Sequence, residues 1–304
     1  MSCDIRRLSF VKKTWFHSSL TIIWKSGLFF LIWAASIAPF FVPMGTTLKE
    51  WESTSPLWAR LYSDSVGLLT MLGATWIMLR YIDRRPLSSI GFASNSILPH
   101  LPLAIGIGIG IVWLGVSVLI PWLAGWVFLE PTFSISWGAV LFGGFALFFN
   151  VITQQLLLCG YIFQCIQAQS NVIIATIASA LMFMLVHIGA FHGAWLPAFN
   201  VFCAGCLFCM SYRFAGNLWF PIAIHFVWNF LLGSVLGLVV SGQSHLGKGS
   251  RILNLDGPAL FTGGAFGLEG GLIVTFTTIT GIIAMFILLH QRHGSNGYQL
   301  RAVA

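Results

Sequence analysis

Three amide side chains interrupt an apolar stretch of the sequence. Asn150, Gln154 and Gln155 stand in a run that otherwise consists mainly of Phe, Leu, Ile and Val and that leads to Cys159. An amide at membrane depth costs free energy unless it finds a hydrogen-bond partner. The helix that carries these side chains is therefore expected to pack against other polar groups, and the rest of the chain is expected to bring those groups to it.

Two histidines and an asparagine in later apolar stretches are the candidate partners. His187 stands four residues after Phe183, and Asn229 stands four residues after His225, a spacing that places each pair on one helix face. In the plainer interpretation they are hydrogen-bonded core residues. As a site, they would let His187 act as a base with the glutamine amides positioning a water, or Cys159 act as a nucleophile beside a histidine.

A metal site would need more ligands than these side chains offer. Two neutral imidazoles are fewer than the three protein ligands of a typical catalytic zinc site, and an amide poorly replaces a carboxylate. Cys159 is a conceivable third ligand for a divalent metal at His187 and His225. We expect no cofactor.

Composition identifies the class of protein. Of 304 residues, 57% are hydrophobic and 8% are charged, with a mean hydropathy of +0.88, whereas soluble domains carry about 25% charged residues. The net charge of +7 does not indicate nucleic-acid binding, because the basic residues cluster at the ends of apolar stretches. We predict an all-α, polytopic transmembrane helix bundle of about eight spans.

The eight expected spans are joined by short loops. They lie at about 27–44, 65–82, 100–127, 139–167, 171–189, 198–212, 218–240 and 271–290. Inner segments then hold 11 of the 15 Lys and Arg residues, which predicts both termini in the cytoplasm, and we expect a bacterial inner membrane. Residues 1–26 are expected to form a basic segment at the membrane surface. No Asp or Glu is expected clearly inside a span.

Two glycines of the third expected span indicate close helix packing. Gly106 and Gly110 are four residues apart and share a face. This spacing matches the small-xxx-small pattern, which lets the backbones of neighbouring membrane helices approach.

From Asp83 onward the chain resembles the CPBP family of intramembrane proteases, which contains CAAX-processing and bacteriocin-processing enzymes. The resemblance covers about 83–290, which leaves 1–82 as a basic segment with two peripheral spans and 291–304 as a short cytoplasmic tail. It rests on four stretches: Asp83-Arg84-Arg85-Pro86-Leu87-Ser88-Ser89-Ile90-Gly91-Phe92, Phe183-x-x-x-His187, the His225-x-x-x-Asn229 motif with its flanks in 217–230, and the glycine-rich run 262–270.

The first motif of the family differs in this chain. The family pattern is Glu-Glu-x-x-x-Arg, whereas Gln154, Gln155 and Cys159 occupy the same register here. The resemblance implies that Gln154 and Gln155 stand at the base positions, that His187 is the water partner, and that His225 and Asn229 stabilise the oxyanion. An amide is no general base near neutral pH, and such a base commonly contributes about 10²–10⁴-fold to the rate.

Gln155 and Cys159 are four residues apart in the sequence. The Glu and Arg of the family pattern could pair at this spacing, and this chain replaces both of them. The leading hypothesis is therefore a degenerate peptidase fold that binds membrane-embedded or lipidated peptides or proteins, in contact with membrane lipids and without nucleic acid. The alternatives are an active intramembrane endopeptidase with altered chemistry and a transporter-like carrier. The lack of a visible internal repeat weighs against the carrier.

Overall fold

The structure is a computed structural model that describes residues 3–92, 100–243 and 250–294. Its helices are α1 (Cys3–Phe41), α2 (Gly45–Thr54), α3 (Pro56–Ile77), α4 (Leu101–Leu123), α5 (Trp137–Cys159), α6 (Tyr161–Gln169), α7 (Val172–Val186), α8 (Trp195–Ala215), α9 (Trp219–Asn229), α10 (Ala259–Thr262) and α11 (Leu272–Gly294). π-helical turns at Met78–Asp83 and Phe230–Val235 continue α3 and α9.

The all-α membrane bundle is confirmed. Within the described ranges, six helical segments are long and apolar enough to cross a membrane, and two shorter apolar segments, Val172–Val186 and Trp219–Val235, accompany them. Each expected span corresponds to one of these eight segments. Six rather than eight reach spanning length, because α7 ends before His187 and the helix containing α9 ends at Val235. The chain is an integral membrane protein.

Several helix boundaries differ from the expected ones. The basic segment and the first span form one continuous helix, α1. The expected fourth span is interrupted at Gly160, which separates α5 from α6. An added Cβ at this junction would lie 2.1 Å from the Leu156 carbonyl oxygen, so the local backbone requires glycine. Two stretches expected as loops pair as an antiparallel two-stranded sheet, β1 (Val127–Ile135) with β2 (Ser250–Leu255).

The most consequential difference concerns the second expected span. Pro56, whose fixed φ suits a first helical position, starts α3 nine residues before the expected boundary at 65. Arg60 and Asp64 therefore lie inside the helix, and the expectation of no carboxylate in a span is wrong for Asp64. Their side chains are 11% and 10% exposed, with Arg60 Nε 3.1 Å from Asp64 Oδ2. This mutual compensation makes two charges tolerable in an apolar helix.

The predicted close approach at the glycine pair is confirmed. A Cβ added to Gly106 would lie 2.7 Å from the Phe220 carbonyl oxygen, and one added to Gly110 would lie 2.9 Å from Val227 Cβ. Both contacts are to α9, which carries His225 and Asn229. The glycines of α4 thus set how closely the histidine helix is held.

We expect Gly106→Ala to destabilise the protein by about 1–3 kcal/mol, because the new methyl group meets the α9 backbone. Gly108 is the matched control, since a Cβ there meets no atom within 4 Å, and Gly108→Ala should be neutral or stabilising by up to about 1 kcal/mol. Unfolding in mixed micelles of increasing SDS fraction measures both. Equal losses for the two variants would contradict the packing argument.

Candidate functional site

A cavity of about 320 Å³ lies where α5, α7, α8 and α9 meet, with further walls from α3, α4 and the loop segments between α9 and α11. Four of the six predicted site residues line it, namely Gln154, His187, His225 and Asn229. Gln155 and Cys159 do not line it and are fully buried beside it. The structure therefore brings the predicted positions together as one cluster with a cavity on one side.

His225 is bonded on both sides of its ring. Gln155 Nε2 lies 3.0 Å from His225 Nδ1, and Asn229 Nδ2 lies 3.1 Å from His225 Nε2. A neutral imidazole has one N–H and one lone pair, so one of the two amides must present its oxygen to the ring. Phe208 stacks on the ring with centroids 4.6 Å apart. His225 therefore offers another group a hydrogen bond only by giving up one that it already makes.

Gln155 makes its hydrogen bonds within the same buried network as His225. It has no solvent-exposed surface, and the Cys159 thiol donates to its Oε1 over 3.5 Å. The predicted shared face of positions 155 and 159 is confirmed. These two side chains support His225 from behind rather than facing the cavity.

Gln154 and Asn150 belong to a different network. Gln154 Nε2 donates to Asn150 Oδ1 over 2.6 Å, and Asn150 Nδ2 donates to Asp64 Oδ1 over 2.8 Å. The expectation that the histidines are the partners of these two amides is wrong, since the early start of α3 brings Asp64 against α5. A carboxylate is thus linked to a first-motif position through one amide. In the sequence, the i, i+4 spacing of Arg60 and Asp64 was the available signal that this stretch is helical and that the two charges pair.

His187 differs from His225 in having a free nitrogen. It caps α7 instead of lying within it, and its Nδ1 lies 2.8 Å from the Phe183 carbonyl oxygen. A carbonyl only accepts hydrogen bonds, so Nδ1 carries the proton and Nε2 keeps its lone pair. No described residue hydrogen-bonds to Nε2. His187 is therefore the cavity histidine with a basic nitrogen available.

Glu269 is the site residue that sequence reasoning missed. It lies in a loop between the expected spans 218–240 and 271–290, but its side chain lines the cavity. Trp228 Nε1 donates to its Oε1 over 2.7 Å, and Ser241 donates to Oε2 through its hydroxyl over 3.0 Å and through its backbone N–H. Burial raises the pKa of the Glu269 carboxyl, while these donors oppose that shift by stabilising the charged form.

Glycine permits this inward turn of the loop. Gly267 has a φ of 83°, and a Cβ there would lie 2.4 Å from the Val239 carbonyl oxygen. The glycine-rich run 262–270 was noticed in the sequence, but its spacing does not reveal that it points a carboxylate inwards.

Among the described residues, no group of three or more His, Cys, Asp or Glu side chains is placed to hold a metal ion. Only His187 and His225 share the cavity as nitrogen ligands, and both nitrogens of His225 are already bonded. The expectation of no cofactor stays a prediction.

Residues 136–231 match the family model described as Type II CAAX prenyl endopeptidase Rce1-like. The match covers α5 to α9 and includes all six predicted site positions, which confirms the resemblance inferred from the motifs over a shorter range. No curated protein and no solved structure matches the chain significantly. The chain is thus an integral membrane protein similar to CAAX proteases.

Replacing Gln155 by leucine should cost about 1–3 kcal/mol, because it leaves a buried nitrogen of His225 unpaired. Gln154→Leu is the matched control on the same helix. It removes a hydrogen bond at the cavity, where water can substitute, and should cost only about 0.5–1 kcal/mol. Unfolding in SDS mixed micelles gives both values, and a larger loss for Gln154→Leu would show that the His225 network is not the stabilising one.

Proposed function

We propose that this protein binds a membrane-embedded or lipidated peptide segment in its cavity without cleaving it. The observation that carries the proposal is the bonding of His225, whose two nitrogens are both held by amides. The first-motif positions also carry amides in place of carboxylates. Neither the general base nor a free oxyanion donor that the family chemistry requires is therefore supplied by these residues.

The polar lining of the cavity suits a peptide ligand. Amide side chains both donate and accept hydrogen bonds, as a peptide backbone does, and Asn150, Gln154, Asn229 and Gln243 line the cavity. A cavity of about 320 Å³ is at the small end of the range for ligand pockets, about 300–1,000 Å³. A few residues of an unwound segment would fit, with lipids surrounding the bundle.

One observation favours the second candidate, an active endopeptidase with altered chemistry. His187 Nε2 has a lone pair and no hydrogen-bond partner among the described residues, so it is free to accept a proton from a water. Its Nδ1–H is fixed by the Phe183 carbonyl. This candidate requires turnover without a carboxylate at the first motif.

We further propose that both termini are cytoplasmic and that the membrane is a bacterial inner membrane. The basic residues of the expected inner segments support this orientation. The new position of Arg60, inside α3 and paired with Asp64, removes one of the four basic residues that had been assigned to the outer side.

Proteoliposomes containing a pool of membrane-helix and prenylated peptides test the proposal. Wild-type protein should crosslink peptide and release no cleavage product in mass spectrometry, because neither first-motif position carries a carboxylate. The triple variant Gln154→Glu/Gln155→Glu/Cys159→Arg restores the family motif. Product from that variant alone would show that the scaffold is intact and only the acid is missing.

Two further variants separate the candidates. Product formed by the wild type and abolished by His187→Ala would overturn the non-cleaving proposal and establish His187 as a base. His290→Ala, at an exposed position on α11 outside the cavity, is the control for loss of a histidine. Failure of the wild type to retain any peptide would contradict a binding role.

A further inference from the structure

Among the described residues, the charged groups that line the cavity are not balanced. Arg60 lines the cavity, but Asp64 compensates it at 3.1 Å. Lys25 is paired with Asp83, and neither of these residues lines the cavity. Glu269 therefore lines the cavity with hydrogen-bond donors around it and no described cation within 4 Å.

The partners of Glu269 favour its charged form, against the burial that raises the pKa of this carboxyl. All three donors, from Trp228 and from the hydroxyl and backbone of Ser241, are neutral N–H or O–H groups. Such donors stabilise a carboxylate without cancelling its charge. A partly buried carboxylate that keeps its charge attracts a positive group more strongly than an exposed one does.

Two aromatic rings of the same cavity wall also favour a cation. Trp113 and Trp228 both line the cavity, with ring centroids 3.9 Å apart, and Trp228 is the residue that donates to Glu269. The negative face of an indole attracts ammonium and guanidinium groups. Trp113 on α4 and Glu269 in the loop before α11 come from different elements, and both favour a cation.

We propose that Glu269, beside Trp113 and Trp228, forms a subsite for a positively charged group of the bound peptide, either a basic side chain or a free amino terminus. The inference rests on the proposed binding function and specifies its ligand. It adds a charge preference to a cavity whose other polar groups are mostly neutral amides.

Glu269 also has a purely structural role that the test must separate from this one. Its contacts tie Ser241 to Trp228 and so fix the loop that closes the cavity. Ser241→Ala removes the hydroxyl contact and leaves the carboxylate charge in place. Under our proposal Ser241→Ala keeps the preference for a cation, whereas Glu269→Gln loses it.

The experiment uses the full-length protein in nanodiscs and three hydrophobic peptides of one sequence. The first has an acetylated amino terminus and a central lysine, the second is acetylated with norleucine in place of lysine, and the third has norleucine and a free amino terminus. We expect the wild type to bind the lysine or the free-terminus peptide about tenfold more tightly than the neutral one, as for a charge-assisted hydrogen bond. The peptide with the higher affinity identifies the source of the charge.

In Glu269→Gln this ratio should fall to about one, consistent with loss of the charged partner. Asp256→Asn removes the same charge from an exposed position in the same region and should leave the ratio unchanged. Equal affinities of the wild type for all three peptides would overturn the subsite, whatever the folding of the variants, and would leave the proposed function standing. Absence of binding by all three would instead overturn the proposed function and the subsite with it.

Discussion

Polar groups at membrane depth must be hydrogen-bonded within the protein, and the arrangement around His225 follows from that constraint. Its two nitrogens are met by Gln155 from α5 and Asn229 from α9. The Gln155–His225 bond joins α5 to α9 and so limits their relative rotation, and α9 is held closely by Gly106 and Gly110 of α4. The cavity is the space left in front of this bonded cluster.

The carboxylates near the site come from outside the family-like segment. Asp64 reaches α5 from α3, and Glu269 reaches the cavity from the loop before α11. Residues 136–231, which match the family model, contain no Asp or Glu. Two acidic groups therefore lie near the site. Neither Asp64 nor Glu269 forms a described hydrogen bond or ion pair with His187.

Amides at positions where the family has acids change the chemistry that the site can perform. A carboxylate takes up a proton, whereas an amide donates and accepts hydrogen bonds without changing charge. Gln155 uses this property to hold His225, and Gln154 uses it to join the Asn150–Asp64 network. Our proposal of peptide recognition without hydrolysis rests on this difference, and His187 is the cavity histidine whose Nε2 has no described hydrogen-bond partner.

The sequence by itself determined the membrane class, the helical bundle, the close glycine contact and the cluster of six site positions. The first three depend on composition and on i, i+4 spacing, which a helix translates directly into a shared face. The six positions came from the resemblance of the motifs to the CPBP family. Only the tertiary structure decided which polar groups meet. Gln155 and not Gln154 bonds His225, Asp64 lies inside a helix, and Glu269 turns inwards. The bond to His225 depends on a long-range approach and the turn of Glu269 on a loop path, and local patterns carry no signal for either. Pro56 and the i, i+4 spacing of Arg60 and Asp64 were local signals for the position of Asp64.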